Sequence, residues 1–573
     1  QVISNDKNSA YLIVNGSKIH VRCSNSRMIK QSVINQQIKQ SCDIEILMRD
    51  QKCIKLLDEC DNVNDVDEYG FTTLFYAQDR MNSNLLRLLV CNYDADLEYK
   101  FSDGSNALLI ASRSGQLEEV KLILELGANI SQTQNKGHTA LMLASERGYD
   151  EVVALLLSNG ADIVARDNNG RTALMLASEY GHNEVVALLL SNGADIVAKD
   201  NNGLTALMSA SEYGHNEVVA LLLSNGSDIV ARDNNGRTAL MLASEHGHSE
   251  VVALLLSNDA DIAAQTKDGW NSLVLASGNG HSEVVEQLLK SNASIAKTNC
   301  GASSLILASR RGYNKIVVEL LQAGADITVK DIDGETALIN ASSQGHVAVV
   351  TQLLSKGADI AAQTKDGWNS LMAASQNGHA DVVKQLIASG VNVMSTNLSG
   401  NNALIAASAK GFIDIVQQLL FSGIDVNQRT HDHGVSALMA ACHNGHVEIV
   451  KQLIISGADI ATVAYSGGDA LIAASTAGHA YIVRLLLAAG ADVINKDNDG
   501  YSALLYASSN GHFDTVNYLL EFDADVAARN KDGYSALLLA SRNGYTNVVK
   551  LLLDSGADIT IKNNMNFNSL ALA

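Results

Sequence analysis

Asp200-Asn201-Asn202-Gly203-Leu204-Thr205-Ala206-Leu207-Met208-Ser209-Ala210-Ser211-Glu212-Tyr213-Gly214-His215-Asn216-Glu217-Val218-Val219-Ala220-Leu221-Leu222-Leu223-Ser224-Asn225-Gly226 decides the fold. Asp200 to Gly203 has the composition of a tight turn. Thr205 is a helix N-cap, whose side-chain oxygen accepts from an otherwise orphaned N–H of the first turn. Gly214 suits the left-handed exit of a short helix. Val218, Val219, Leu221, Leu222 and Leu223 form one broad apolar face of a second helix, which closes at Gly226. The stretch therefore predicts turn, short helix, turn, longer helix.

Working outward, the leucine of this unit recurs at 74, 108, 141, 174, 207, 240, 273, 305, 338, 371, 404, 438, 471, 504, 537 and 570, and twelve of the fifteen intervals are 33 residues. Two positions before it, Ser, Thr, Asn or Asp stands all sixteen times. Glycine stands seven residues after it in all but the first of fifteen full units. A fixed period of this length is the signature of a solenoid, in which each unit buries its apolar face against its neighbours.

The match to a 33-residue unit of Gly-x-Thr-Pro-Leu-His-x-Ala-Ala type, followed by Gly-His and a Val-Val…Leu-Leu helix, resembles the ankyrin repeat family from about Cys42 to Ala573. The resemblance implies an all-α ankyrin-repeat α-solenoid of helix-turn-helix units joined by β-turn or hairpin loops. The chain departs from the family in its first-turn proline, which is Ala or Ser here and Thr at Thr73, and in its second alanine, which is usually serine, as at Ser178. Proline is absent from all 573 residues, and we have no physical account of that. The expected organisation is a non-repeat segment over 1–41, an N-terminal capping helix pair over 42–66, fifteen repeats over 67–564 and a truncated final repeat over 565–573. Within the first segment, Tyr11 to Val21 reads as a hairpin with an Asn15-Gly16 turn. With the helix expected over Arg27 to Ile38, this segment resembles the opening of a BTB or Skp1-type domain.

Composition narrows the function. Acidic residues outnumber basic ones 62 to 41, a formal charge of −21 that repels a phosphate backbone, so nucleic acid is not an expected partner. No apolar run is long enough to cross a bilayer, and Gln1 to Ala10 lacks the pattern of a signal peptide. Direct membrane insertion is not expected, and a cytoplasmic or nuclear location is. The seven cysteines are odd in number and lack Cys-x-x-Cys spacing, as expected of free thiols in a reducing compartment.

Of the fifteen histidines, nine (His182, His215, His248, His281, His346, His379, His446, His479 and His512) follow the inter-helix glycine. The family resemblance implies that this histidine braces neighbouring loops, and Phe412 at the same position is incompatible with a ligand or catalytic role. His431 and His433 flank Asp432, the densest set of metal-type ligands, and are expected to be a solvated loop. There is no phosphate loop, nucleophile elbow or zinc-protease helix. No enzyme activity and no cofactor are expected.

What remains is surface. The resemblance implies that residues of the turn and the end of the inner helix line a concave binding groove. There the third to sixth units read Glu146-Arg147, Glu179-Tyr180, Glu212-Tyr213 and Glu245-His246, which predicts a ladder of carboxylates beside polar aromatics. Copying of one unit and selection for binding both account for that repetition. Trp270, Trp368, Tyr501 and Tyr534, just after turn glycines, are expected as exposed anchors. The expected function is a protein-interaction scaffold or adaptor that binds one or more proteins through basic or extended segments. The alternatives are a spring-like or self-associating structural component, or the binding region of a larger ligase adaptor, channel or effector.

Overall fold

The computed structural model describes residues 2–6, 9–14, 17–21, 62–66, 70–79, 83–295, 298–299 and 301–572. The chain divides into two compact units, one of Gln1–Ala276 with Glu286–Ser294 and one of Ser277–Val285 with Ile295–Ala573. Among the described residues there are 31 helices, arranged as fifteen pairs followed by a short single helix, Ser569–Leu572.

The local logic read from the sequence is met at every helix start. All sixteen predicted cap residues accept a hydrogen bond from the backbone N–H three residues on. Thr205, at φ −98° and ψ 168°, does so toward Met208 at 3.3 Å and opens the helix Ala206–Tyr213. That helix stops at Gly214, whose φ of 79° is left-handed. The second helix, Asn216–Ser224, buries Val218, Val219 and Leu222 completely.

Within each compact unit, successive first helices pack side by side and second helices form a layer behind them. The core is the repeated set Leu174, Leu207 and Leu240 from first helices, with Val185, Val186 and Leu189 and their equivalents from second helices. Stacking removes these side chains from water, and each such side chain contributes roughly 1.5–3 kcal/mol.

Turns are locked both internally and to their neighbours. The carboxylate of Asp200 accepts from the N–H groups of Asn202 and Leu204 at 2.9 and 2.8 Å, and the Gly203 N–H donates to the Asp200 carbonyl at 3.0 Å. Asn168, Asn201 and Asn234 each donate a side-chain N–H to the backbone carbonyl 33 residues earlier, at 2.9 to 3.1 Å. Turn tips therefore sit in fixed register along this unit.

Ahead of the array the chain forms a three-stranded antiparallel sheet, β1 (Val2–Asp6), β2 (Ser9–Val14) and β3 (Ser17–Val21), in that order. The expected hairpin is the β2–β3 pair, with Val14 opposite Ser17. The all-α description thus applies to the array and not to these strands. The Asn15-Gly16 turn itself, the helix expected over Arg27 to Ile38 and almost all of the capping pair expected over 42–66 lie outside the described residues.

Candidate functional site

The ends of the first helices and the turn tips present polar and aromatic side chains at a constant register, because caps and turns fix both. In the first compact unit the third to sixth rungs hold Glu146 and Arg147, Glu179 and Tyr180, Glu212 and Tyr213, and Glu245 and His246 on adjacent first helices. Tyr180 and Tyr213 are 48% and 53% exposed, and Arg147 and His246 are exposed as well.

The four carboxylates are not the open row that the sequence suggested. Each is half-buried and paired with a cation or histidine. Arg171 donates through Nε to Asp167 at 3.0 Å and through Nη1 to Glu179 at 3.2 Å. Arg237 repeats this with Asp233 at 2.8 Å and Glu245 at 3.5 Å. Glu146 lies 3.6 Å from the Nδ1 of His138, and Glu212 lies 3.7 Å from the Nε2 of His246. Where the other rungs place His138, Arg171 and Arg237 after the turn glycine, the rung of Glu212 places Leu204.

Burial, with Glu146 and Glu212 alongside, holds the Glu179 carboxyl above the ordinary range, against the pull of Arg171. Burial and the neighbouring carboxylates likewise raise the phenols of Tyr180 and Tyr213. Carboxylates thus flank both rings, Glu179 and Glu146 at Tyr180 and Glu179 and Glu212 at Tyr213.

The aromatics after turn glycines depart from expectation. Tyr534 is buried at 6% exposure, with the guanidinium of Arg542 5.7 Å over its ring. Tyr501 is half-buried and stacked on Tyr506 at 4.8 Å, and Trp270 and Trp368 are half-buried. The rings of Tyr501 and Tyr534 fold back onto the helix that follows instead of standing free.

Sequence reasoning missed Arg171, Arg237 and His138. The signal was an eight-residue spacing from each to its glutamate, which only a turn folded against its own helix makes into a contact.

The histidines after inter-helix glycines act as braces. His182, His215 and His248 place Nε2 at 3.0, 2.9 and 2.8 Å from the carbonyls of Glu146, Glu179 and Glu212. The brace fixes the very residues that carry the ladder. His433 lies 3.9 Å from Asp432 in an exposed loop, and among the described residues no group of three His, Cys, Asp or Glu is arranged to hold a metal. Among the described residues, too, no helix is long and apolar enough to cross a membrane.

The family model described as ankyrin repeats (3 copies) matches the chain in overlapping stretches from 44–134 through to 471–563, continuous over 44–563. The likeness of the first 41 residues to a BTB or Skp1-type domain draws no support from this match, which begins at residue 44. No curated protein matches the chain.

Proposed function

The chain belongs to the ankyrin-repeat family, and from that premise we propose that it is an interaction scaffold or adaptor whose first-helix ends and turn tips hold a protein partner. Ankyrin repeats are in general protein-interaction modules and typically non-catalytic. The observation that carries the finer reading is the pair Tyr180 and Tyr213, about half exposed on a backbone pinned by caps, turns and histidine braces. Exposed aromatics on a rigid support lose little entropy on binding, which is why such residues dominate interface energies. The partner chemistry follows from the flanking carboxylates, which favour a segment containing basic residues.

A photo-crosslinking amino acid placed at Tyr213, compared with one at exposed Ala220 on the second helix, tests this in cells. Cross-links to another protein from Tyr213 and not from Ala220, lost with Tyr180→Ala, are expected, since a central aromatic contributes on the order of 2 kcal/mol. Equal labelling from both positions would reject the assigned face. Cross-links only to other copies of the chain would favour the structural-assembly reading instead.

A further inference from the structure

One cleft in the first compact unit differs in sign from the rungs beyond it. It has a volume of about 420 Å³ and is walled by the turn residues Asp103 and Gln134 to Lys136, His138, and the helix-end residues Arg113, Glu146 and Arg147. That volume admits two or three residues of an extended chain.

Its floor is His138, whose side chain is only 7% exposed. The Nε2 of His138 lies 3.1 Å from the buried carboxylate of Asp167, which also holds Arg171. The Arg171 Nη2 lies 3.4 Å from the same nitrogen. Nδ1 is buried and faces the carboxylate of Glu146 at 3.6 Å, so the ring sits between two acidic side chains.

The rim supplies the opposite chemistry. Arg113 is held loosely by Asp103 at 3.4 Å, Arg147 reaches Glu146 only at 3.9 Å, and Lys136 is exposed with no ion pair among the described residues. The walls carry Arg113, Lys136 and Arg147 against Asp103 and Glu146, a local excess of positive charge on a chain of net charge −21.

We propose that this cleft and the tyrosine-flanked carboxylates Glu179 and Glu212 are two subsites for one extended protein segment. An acidic residue of that segment enters the cleft and a basic residue lies between Tyr180 and Tyr213. The cleft takes the carboxylate onto Lys136 and Arg147. At the second subsite, Leu204 leaves Glu212 without the guanidinium that Arg171 and Arg237 give the adjoining rungs, and the partner's basic group fills that place. Arg147 and Glu212 are two helix steps apart, roughly 18 Å at about 9 Å per packed helix. An extended chain covers that distance in roughly five or six residues at about 3.3 Å each. The charges fix this spacing and leave the chain direction free.

This inference rests on the binding face assigned above, and the test separates the two. A display library of random dodecapeptides is selected against the full chain. Enriched sequences should carry an acidic and a basic residue about five or six apart. Lys136→Glu with Arg147→Glu should weaken the enriched peptides about tenfold, and restoring affinity should require replacing the peptide's acidic residue. Glu179→Lys with Glu212→Lys should act the same way on its basic residue. Leu204→Arg, which supplies the missing guanidinium from within, should compete out the basic residue while leaving the fold intact by hydrogen exchange. Peptides that respond to the Glu179 and Glu212 pair and ignore the Lys136 and Arg147 pair would overturn the two-subsite inference and leave the binding face standing. Enrichment without the spacing, or no enrichment, would overturn the inference as well.

Discussion

Asp469 is the one aspartate among sixteen residues that cap first helices, and it alone brings a charge into that buried position. Burial raises its carboxyl above the ordinary aspartate range, against the Ile472 N–H at 2.8 Å and the Asn495 amide at 2.7 Å. A raised carboxyl means that the folded chain holds the proton more tightly than the unfolded one. The group's contribution is therefore fully present below the unfolded carboxyl range and is lost as pH rises through the folded value. Asn402 caps the same register without charge, accepting from Ile405 at 2.9 Å. Asp469→Asn should thus stabilise the chain by about 1 kcal/mol at neutral pH, and the gain should shrink below about pH 4. Thermal unfolding of both proteins at the two pH values checks this, and a gain that grew on acidification would refute the sign. Residues of this kind were legible in the sequence because a cap acts within one turn of helix. Arg171 and Arg237 were not, since their partners lie eight residues on and become neighbours only after the turn folds back.

At the scale of the element, the first helix Ala173–Glu179 depends on the glycine that follows it and the histidine that braces it. Gly181 has a φ of 76°, and a Cβ there would lie 2.5 Å from the Nδ1 of His215, which holds the Glu179 carbonyl at 2.9 Å. Gly181→Ala combines left-handed strain with displacement of the brace, and should cost about 2 kcal/mol. Because stability in repeat arrays is nearly a sum of local and nearest-neighbour terms, the loss should stay local. Hydrogen exchange should show faster opening of Ala173–Glu179 and Asn183–Ser191, with Ala536–Arg542 unchanged. Uniform loss over all these helices would contradict nearest-neighbour stability. The helices themselves were legible from the period of apolar residues and glycines. The exposure of Tyr534 was misjudged because the same turn-to-helix packing that pairs Arg171 with Glu179 covers Tyr534 with Arg542, again eight residues on.

At the scale of the whole molecule, the repeated turns bear on how the chain ages. The sequence contains twelve Asn-Gly pairs, the dipeptide in which the glycine nitrogen most readily attacks the asparagine side chain, expelling ammonia and closing a succinimide that water opens to aspartate or isoaspartate. Each such event would add negative charge to a chain already at −21 and, at isoaspartate, an extra backbone carbon to a turn. Attack needs that nitrogen free to swing onto the carboxamide carbon. In the turns that carry Asn169, Asn202 and Asn235, the N–H groups of Gly170, Gly203 and Gly236 instead donate to the carbonyls of Asp167, Asp200 and Asp233 at 2.9 to 3.0 Å. At the ends of second helices, those of Gly160, Gly193 and Gly226 donate to Leu157, Leu190 and Leu223 at 3.0 Å. Peptide mapping by mass spectrometry should find these asparagines intact after prolonged incubation of the folded chain, and deamidated when the same incubation is carried out in urea. Equal conversion in both would mean that the turns open too often to protect them. The hydrogen bonds that close the turns and the ends of the second helices thus also act as a chemical clock stopper, keeping a sequence rich in self-reactive pairs from recording its own age.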